Sequence, residues 1–407
     1  MRKSKNKLLI IFICISTLLS CVEPYDLKQE NNFDDLLVVE AVLTDEFKFQ
    51  SIKLSRTYSL DNVNPVIEKN AIVKVIEDGI TIYEFEEDKN GIYVSKKQFN
   101  AKVNKKYKLE LVLSSGKKYS SKTEQLSSGT KSDFDLIAYK GQDNSGDDGV
   151  FIKYVSINGG NNESSNYYRF DYSSTYKIVS PNWADEKLVV NSTNKPSLVA
   201  KGNEIGKVCY GVDVSTKSFL RNADQFQGND IEPFNLRFLA KNDLRIYHRY
   251  SLNVKQFLIS REAFIFYKTL EELVTSDNLF SGNQPGLVIG NITSSDENNE
   301  NVLGYFDVSK VYSKRVFFNY TDFFSKSGDP LPEDNYFEPC ISSYPTLDSR
   351  RHEQPLSLNE MLTNGLVVFL AENLLPVVPG GPYQVVTKNC GDCSKYGDVK
   401  KPDFWID

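Results

Sequence analysis

Between residues 36 and 126 apolar side chains return at every second position, and turn dipeptides cut each run short before a helix could form. Ile72-Val73-Lys74-Val75-Ile76 leads into Asp78-Gly79 and out through Ile80-Thr81-Ile82-Tyr83. An Asp-Gly pair between two such runs predicts a two-residue hairpin turn, because that turn needs positive φ. Asn90-Gly91 and Ser115-Gly116 punctuate the next runs, which include Ile92-Tyr93-Val94 and Tyr107-Lys108-Leu109-Glu110-Leu111. With Leu36 to Leu43 and Ile52 to Ser55, this makes about seven short strands in about 95 residues, the signature of an immunoglobulin-like β-sandwich. The chain has 23 Tyr and 25 Phe against 2 Trp, a bias that suits half-buried pleated surfaces.

The chain opens differently. Arg2, Lys3, Lys5 and Lys7 precede an apolar run from Leu8 to Leu19, the layout of an export signal. Its ending, Leu18-Leu19-Ser20-Cys21, resembles the lipobox of bacterial lipoproteins, which implies residues 1–20 as a cleaved signal and Cys21 as the acylated first residue. A run of about 12 apolar residues is short of the ~20 that span a bilayer. Several acyl chains, at ~0.8 kcal/mol per buried CH₂, make such an anchorage permanent. Polar residues 21–34 then read as a lipidated tether. Loss of residues 1–20, which hold four basic residues and no acid, takes the formal charge from −6 to −10. That balance argues against a nucleic-acid-binding face.

The 387 residues left exceed one ordinary core and predict two or three domains. The first domain spans 35–126. A polar stretch from Ser127 to Asp135 marks its end, and residues 127–407 read as a larger β-rich domain. Strands are predicted at Val150 to Ile157, Tyr167 to Tyr172, Tyr176 to Val179, Asn235 to Phe238, Asp243 to Tyr247 and Tyr250 to Val254. The main helix is predicted near 260–275, where Ala263, Phe266, Tyr267, Leu270, Leu273 and Val274 recur at spacings of three and four. Val302 to Phe306 and Arg315 to Phe318 read as two returning strands. The C-terminal third reads as irregular, with a short helix at Leu358 to Leu362 and disulfides to fasten it.

Chemistry-bearing clusters are sparse. His352-Glu353 lacks the second histidine of a zinc-protease helix, since position 356 is Leu356 and Pro355 intervenes. His248 has no nucleophile elbow to serve. Asp143-Asn144-Ser145-Gly146-Asp147-Asp148 clusters oxygen ligands, but its glycine is misplaced for an EF-hand, so a solvated turn is the stronger reading and calcium in a looser geometry stays open. After Cys14 leaves and Cys21 is acylated, Cys209, Cys340, Cys390 and Cys393 remain. An even set in an exported chain favours disulfides, with three connectivities open, over zinc or Cys390/Cys393 redox chemistry. Trp183 and Trp405 are candidates for stacking on a glycan or peptide, or for plugging gaps between elements. No metal, cofactor or catalytic residue is expected.

Several segments taken together resemble a known family. They are the lipobox, Leu37-Val38-Val39-Glu40 with Thr44, Tyr167-Tyr168-Arg169, Gln256 to Phe264, Gly290-Asn291-Ile292, Leu303-Gly304-Tyr305-Phe306, Cys390 to Cys393 and Lys401 to Trp405. They are similar to Bacteroidota outer-membrane lipoproteins catalogued as domain of unknown function 4249, whose members are typically encoded beside TonB-dependent receptors. The one departure is Tyr210 after Cys209, where that family often has Trp. The resemblance implies an outer-membrane, lipid-anchored, non-enzymatic protein that serves a TonB-dependent transporter as an accessory or substrate-capture partner, with a peptide, glycan or small molecule as the cargo. The acyl chains of Cys21 would hold it to the lipid. A structural or adhesive surface lipoprotein is the alternative, and a secreted hydrolase a weaker one. Val22-Glu23-Pro24 lacks a dense acidic run, which leaves either face of the outer membrane open.

Overall fold

The computed structural model of the protein describes residues 36–57, 66–127, 133–157, 167–193, 195–202, 206–223, 231–275, 288, 290–295, 300–324, 340–347, 356–374 and 380–407. The protein is mainly β, and its strands alternate buried and exposed residues as their sequences demand. The first region supplies β1 (Leu37–Thr44), β2 (Ser51–Arg56), β3 (Val66–Ile67), β4 (Ile72–Glu77), β5 (Thr81–Glu87), β6 (Ile92–Ser95), β7 (Lys106–Val112), β8 (Lys118–Ser121) and β9 (Glu124–Gln125). The sheet runs β1-β2-β6-β5-β4-β7-β8 and wraps one core that includes Leu37, Leu54, Val75, Tyr93, Leu109 and Tyr119. Asp78 and Gly79 both have positive φ and form a turn closed by Ile80 N–H on Glu77 C=O at 3.0 Å. Strand pairing resumes at Glu77↔Thr81, so the connection is one residue longer than expected and leaves Ile80 exposed.

The second region supplies β10 (Phe134–Gln142), β11 (Asp148–Ser156), β12 (Tyr167–Val179), β13 (Glu186–Val190), β14 (Pro196–Ala200), β15 (Val208–Val214), β16 (Phe219–Asn222), β17 (Phe234–Ala240) and β18 (Arg249–Ile259). Helix α1 (Arg261–Thr275), β19 (Ile292–Ser294) and β20 (Val302–Asn319) follow. Sheet β10-β11-β17 lies over β12, β18 and the end of β20, with Phe134, Val150, Tyr154, Phe170, Leu252 and Phe318 between the two layers. Residues 244–246, expected as strand, form a 3₁₀ turn instead. Asp243 accepts the Arg245 N–H and pairs with its guanidinium, a local hydrogen-bonding option that draws the backbone out of the sheet.

One strand joins the two regions. The two segments expected within residues 302–319 are a single 18-residue strand, about 60 Å long at 3.3 Å per residue. Residues 302–309 of β20 run parallel to β1, and residues 310–319 run antiparallel to β18. At the change of partner, Asp45 N–H donates to Ser309 C=O at 3.3 Å and Asp45 Oδ1 accepts from Val311 N–H at 2.9 Å. Strand β19 pairs with β8, so late residues also complete the first sheet.

The C-terminal third, expected as irregular, holds a three-stranded sheet of β21 (Ser342–Ser343), β22 (Val367–Glu372) and β23 (Tyr383–Thr387). Helix α2 (Leu358–Thr363) packs near it and starts with a capping box of Ser357 and Glu360. The short α3 (Lys388–Gly391) leads into the tail. No helix among the described residues is long and apolar enough to cross a membrane.

Candidate functional site

Ser260 ends β18 and starts α1, its Oγ accepting Ala263 N–H at 3.1 Å as an N-cap. The predicted stripe is the buried one: Ala263 and Phe266 are enclosed, and Tyr267, Leu270 and Leu273 are partly so. It packs on Phe257, Ile259, Tyr305 and Val311, the face of β18 and β20 turned away from the inter-sheet core. The helix does not cover all of that face. Beyond it a cleft of about 860 Å³ opens between the outward residues of β1 (Val38, Glu40, Val42), those of β20 (Leu303, Tyr305), those of β12 (Arg169, Asp171), and Tyr267 and Leu270 of α1. Loop residues 215–218 form the far wall, where Ser218 Oγ donates to Asp171 Oδ1 at 2.6 Å. The volume falls in the range of small-molecule sites, and a junction between packed units is a common place for one.

Arg169 is the unusual group on this floor. It is 6% exposed, and its guanidinium lies 4.5 Å from the Phe257 ring centroid and 4.6 Å from that of Tyr267. Such cation–π contacts stabilise a desolvated cation. Asp171 Oδ2 lies 3.4 Å from one terminal nitrogen, while Nε has no hydrogen-bond partner. Burial works against the charge, but Tyr267, Asp171 and Asp307 together hold the guanidinium above its usual pKa. Asp307 projects from the same face of β20, 2% exposed, with Oδ2 unpartnered. Burial pushes its carboxyl up, against the pull of Arg169.

The edge of β20 opposite β1 is closed by residues 290–292. Asn291 Oδ1 accepts Phe306 N–H at 2.7 Å and Nδ2 donates to Phe306 C=O at 2.9 Å, so one side chain replaces a strand partner. Its Nδ2 and the Tyr305 hydroxyl both donate to Glu124 Oε1, at 2.7 and 3.1 Å. Gly290 sits against Gly304, where a Cβ would fall 1.7 Å from the Gly304 oxygen. Of the segments on which the family resemblance rests, those in β1, β12, β18 and β20 contribute residues to this cleft.

The four late cysteines form two bridges, Cys209–Cys393 and Cys340–Cys390. Cys390 and Cys393 are not bonded to each other, so each fastens the tail to a distant element. Cys209, Cys390 and Cys393 share a small core with Ile178 and Val386. The tail then pairs with the edge of β15 through Tyr210 and Asp398, and Trp405 is buried edge-on against Tyr210 and Phe317. Trp405 thus plugs a gap. Trp183 is partly buried beneath Lys201, whose Nζ is 3.7 Å from its ring centroid. The Asp143–Asp148 segment is the β10–β11 turn, with Asp143 Oδ1 accepting the N–H groups of Ser145 and Asp147 at 2.9 Å each. His248 lies just before β18 and is partly buried. Cys21 and His352-Glu353 lie outside the described residues. Sequence reasoning named Arg169 and Phe257 only as marks of resemblance. Its one usable signal was an arginine at an alternating position inside an aromatic strand.

Fold and cleft define a β protein of two sandwiches sharing one strand, with a binding-sized cleft at their junction. The chain belongs to the family described as Domain of unknown function (DUF4249), which it matches over residues 22–315. No curated protein matches the sequence. A crystal structure of a DUF4785 family protein from Legionella pneumophila is 7% identical, with 54% of this chain and 51% of that one covered and a TM-score of 0.16. A Biofilm associated protein B domain is 10% identical, with 69% and 85% covered and a TM-score of 0.14. This chain spans about half the length of the first, and neither superposition supports an argument about fold or activity.

Proposed function

We propose that this protein is a non-enzymatic lipoprotein of a Bacteroidota outer membrane, anchored through Cys21, that holds cargo in the junction cleft for a TonB-dependent transporter. The observation that carries the reading is the cleft itself. Every residue lining it lies between Val38 and Tyr305, inside the family match, while three of the four disulfide cysteines lie beyond that match. A cleft of this size built from several separated segments, with a buried arginine on its floor, favours a binding role over that of a spacer or adhesin. The family resemblance supplies the receptor as the partner. The test is affinity purification of the tagged full chain after gentle membrane extraction, with partners identified by mass spectrometry. A stoichiometric TonB-dependent receptor is expected; repeated recovery of the lipoprotein alone contradicts the partnership.

A further inference from the structure

The buried Arg169 guanidinium lies within cation–π distance of two rings, those of Phe257 and Tyr267. Asp171 takes one terminal nitrogen at 3.4 Å, and the Nε–H is left without an acceptor although the residue lines the cleft. A buried charged donor without an acceptor costs more than an ordinary missing hydrogen bond. The other charged residues on the cleft wall set the sign of what fits. Lys48, Lys53, Lys255 and Arg169 face it against Glu40 and Asp171. Glu40 is engaged by Lys53 at 2.7 Å, and Asp171 by Ser218. Lys48 and Lys255 share Glu46, which stands behind the wall. Val38, Val42, Leu270 and Leu303 add an apolar stretch to the wall, beside the hydroxyls of Ser173, Ser215, Thr216 and Ser218.

We propose that the cleft takes an amphipathic small molecule whose carboxylate or phosphate pairs with the Arg169 guanidinium and whose apolar body lies on Val38, Val42, Leu270 and Leu303. The inference rests on the cargo-binding reading above and names its chemical class. A guanidinium edge suits either oxyanion because both offer paired acceptors.

The test is calorimetric titration of the full chain in lipid nanodiscs with phenylbutyrate and phenylbutyl phosphate, with phenylbutanol and acetate as controls and empty nanodiscs subtracted. At least one oxyanion is expected to bind, with the alcohol and acetate weaker by about tenfold or more. The two oxyanion arms distinguish a carboxylate from a phosphate cargo. Arg169→Lys keeps the charge but loses the planar fork, and weakens the preferred ligand by about tenfold. If that variant misfolds by thermal melting, Leu270→Trp decides: it leaves the ionic groups in place, fills the apolar half, and is expected to abolish binding. Equal binding of alcohol and acid, no binding of either oxyanion up to about 1 mM, or undiminished binding by the folded variants overturns the proposal. A co-purified receptor without oxyanion selectivity sinks this inference alone, whereas selective binding without a receptor sinks only the partnership.

Discussion

Both ends of the Asn291 amide bind the main chain of Phe306, at a site 3% exposed, so Asn291→Ala leaves a buried N–H and a buried C=O unsatisfied together. At about 1–3 kcal/mol each, the expected loss is about 2–6 kcal/mol in urea unfolding, and a loss under about 0.5 kcal/mol contradicts the strand-substitute role. Asp307 gives a pH signature. Its folded pKa is raised above the ordinary 3.8, so its contribution is fully present at low pH and is lost as pH rises through the folded value. The charged and polar groups around it include Arg169, Asp171, Glu124, Tyr267, Tyr305 and Ser309. Unfolding of wild type and Asp307→Asn, compared at about pH 4 and about pH 8, therefore shows the wild type falling relative to the variant at the higher pH. The opposite slope would mean that Arg169 outweighs burial.

The disulfides act on the tail as an element. They close 184- and 50-residue separations, which on a chain-entropy basis correspond to about 5 and about 4 kcal/mol. Replacing Cys209 and Cys393 together by Ala should lower stability by a few kcal/mol and release hydrogen-exchange protection at Tyr210 and Asp398, with the cleft residues of β1 and β20 unchanged. Protection lost equally in both places would show that the tail and cleft unfold as one unit. Local elements were the legible part of this chain. The helix stripe from Ala263 to Leu273 could be read by periodicity, and the strands by alternation. Strand β20 was read as two because Asp307, Ser309 and Lys310 break its apolar pattern, although Asp307 and Ser309 are buried in register with β1, far away in sequence. Likewise, position 243 decides locally between strand and 3₁₀ turn through one side-chain hydrogen bond, which alternation does not register. The cysteine pairing and the cleft are contacts between distant segments, and neither has a period.

On the scale of the whole molecule, the shared strand β20 couples the first sandwich to the junction cleft, and the outer face of β1 is one wall of that cleft. Cys21→Ala is expected to move the protein from the membrane fraction to the soluble fraction and to abolish palmitate labelling, while leaving the fold intact; retention in the membrane would point to a different anchor. The central claim is that the cleft holds cargo. It is tested most directly by native mass spectrometry of the full chain extracted from its own membranes, beside Leu270→Trp prepared identically. A small-molecule adduct on the wild type that is lost in the variant is the predicted result. Identical spectra, whether both bare or both loaded, would contradict it.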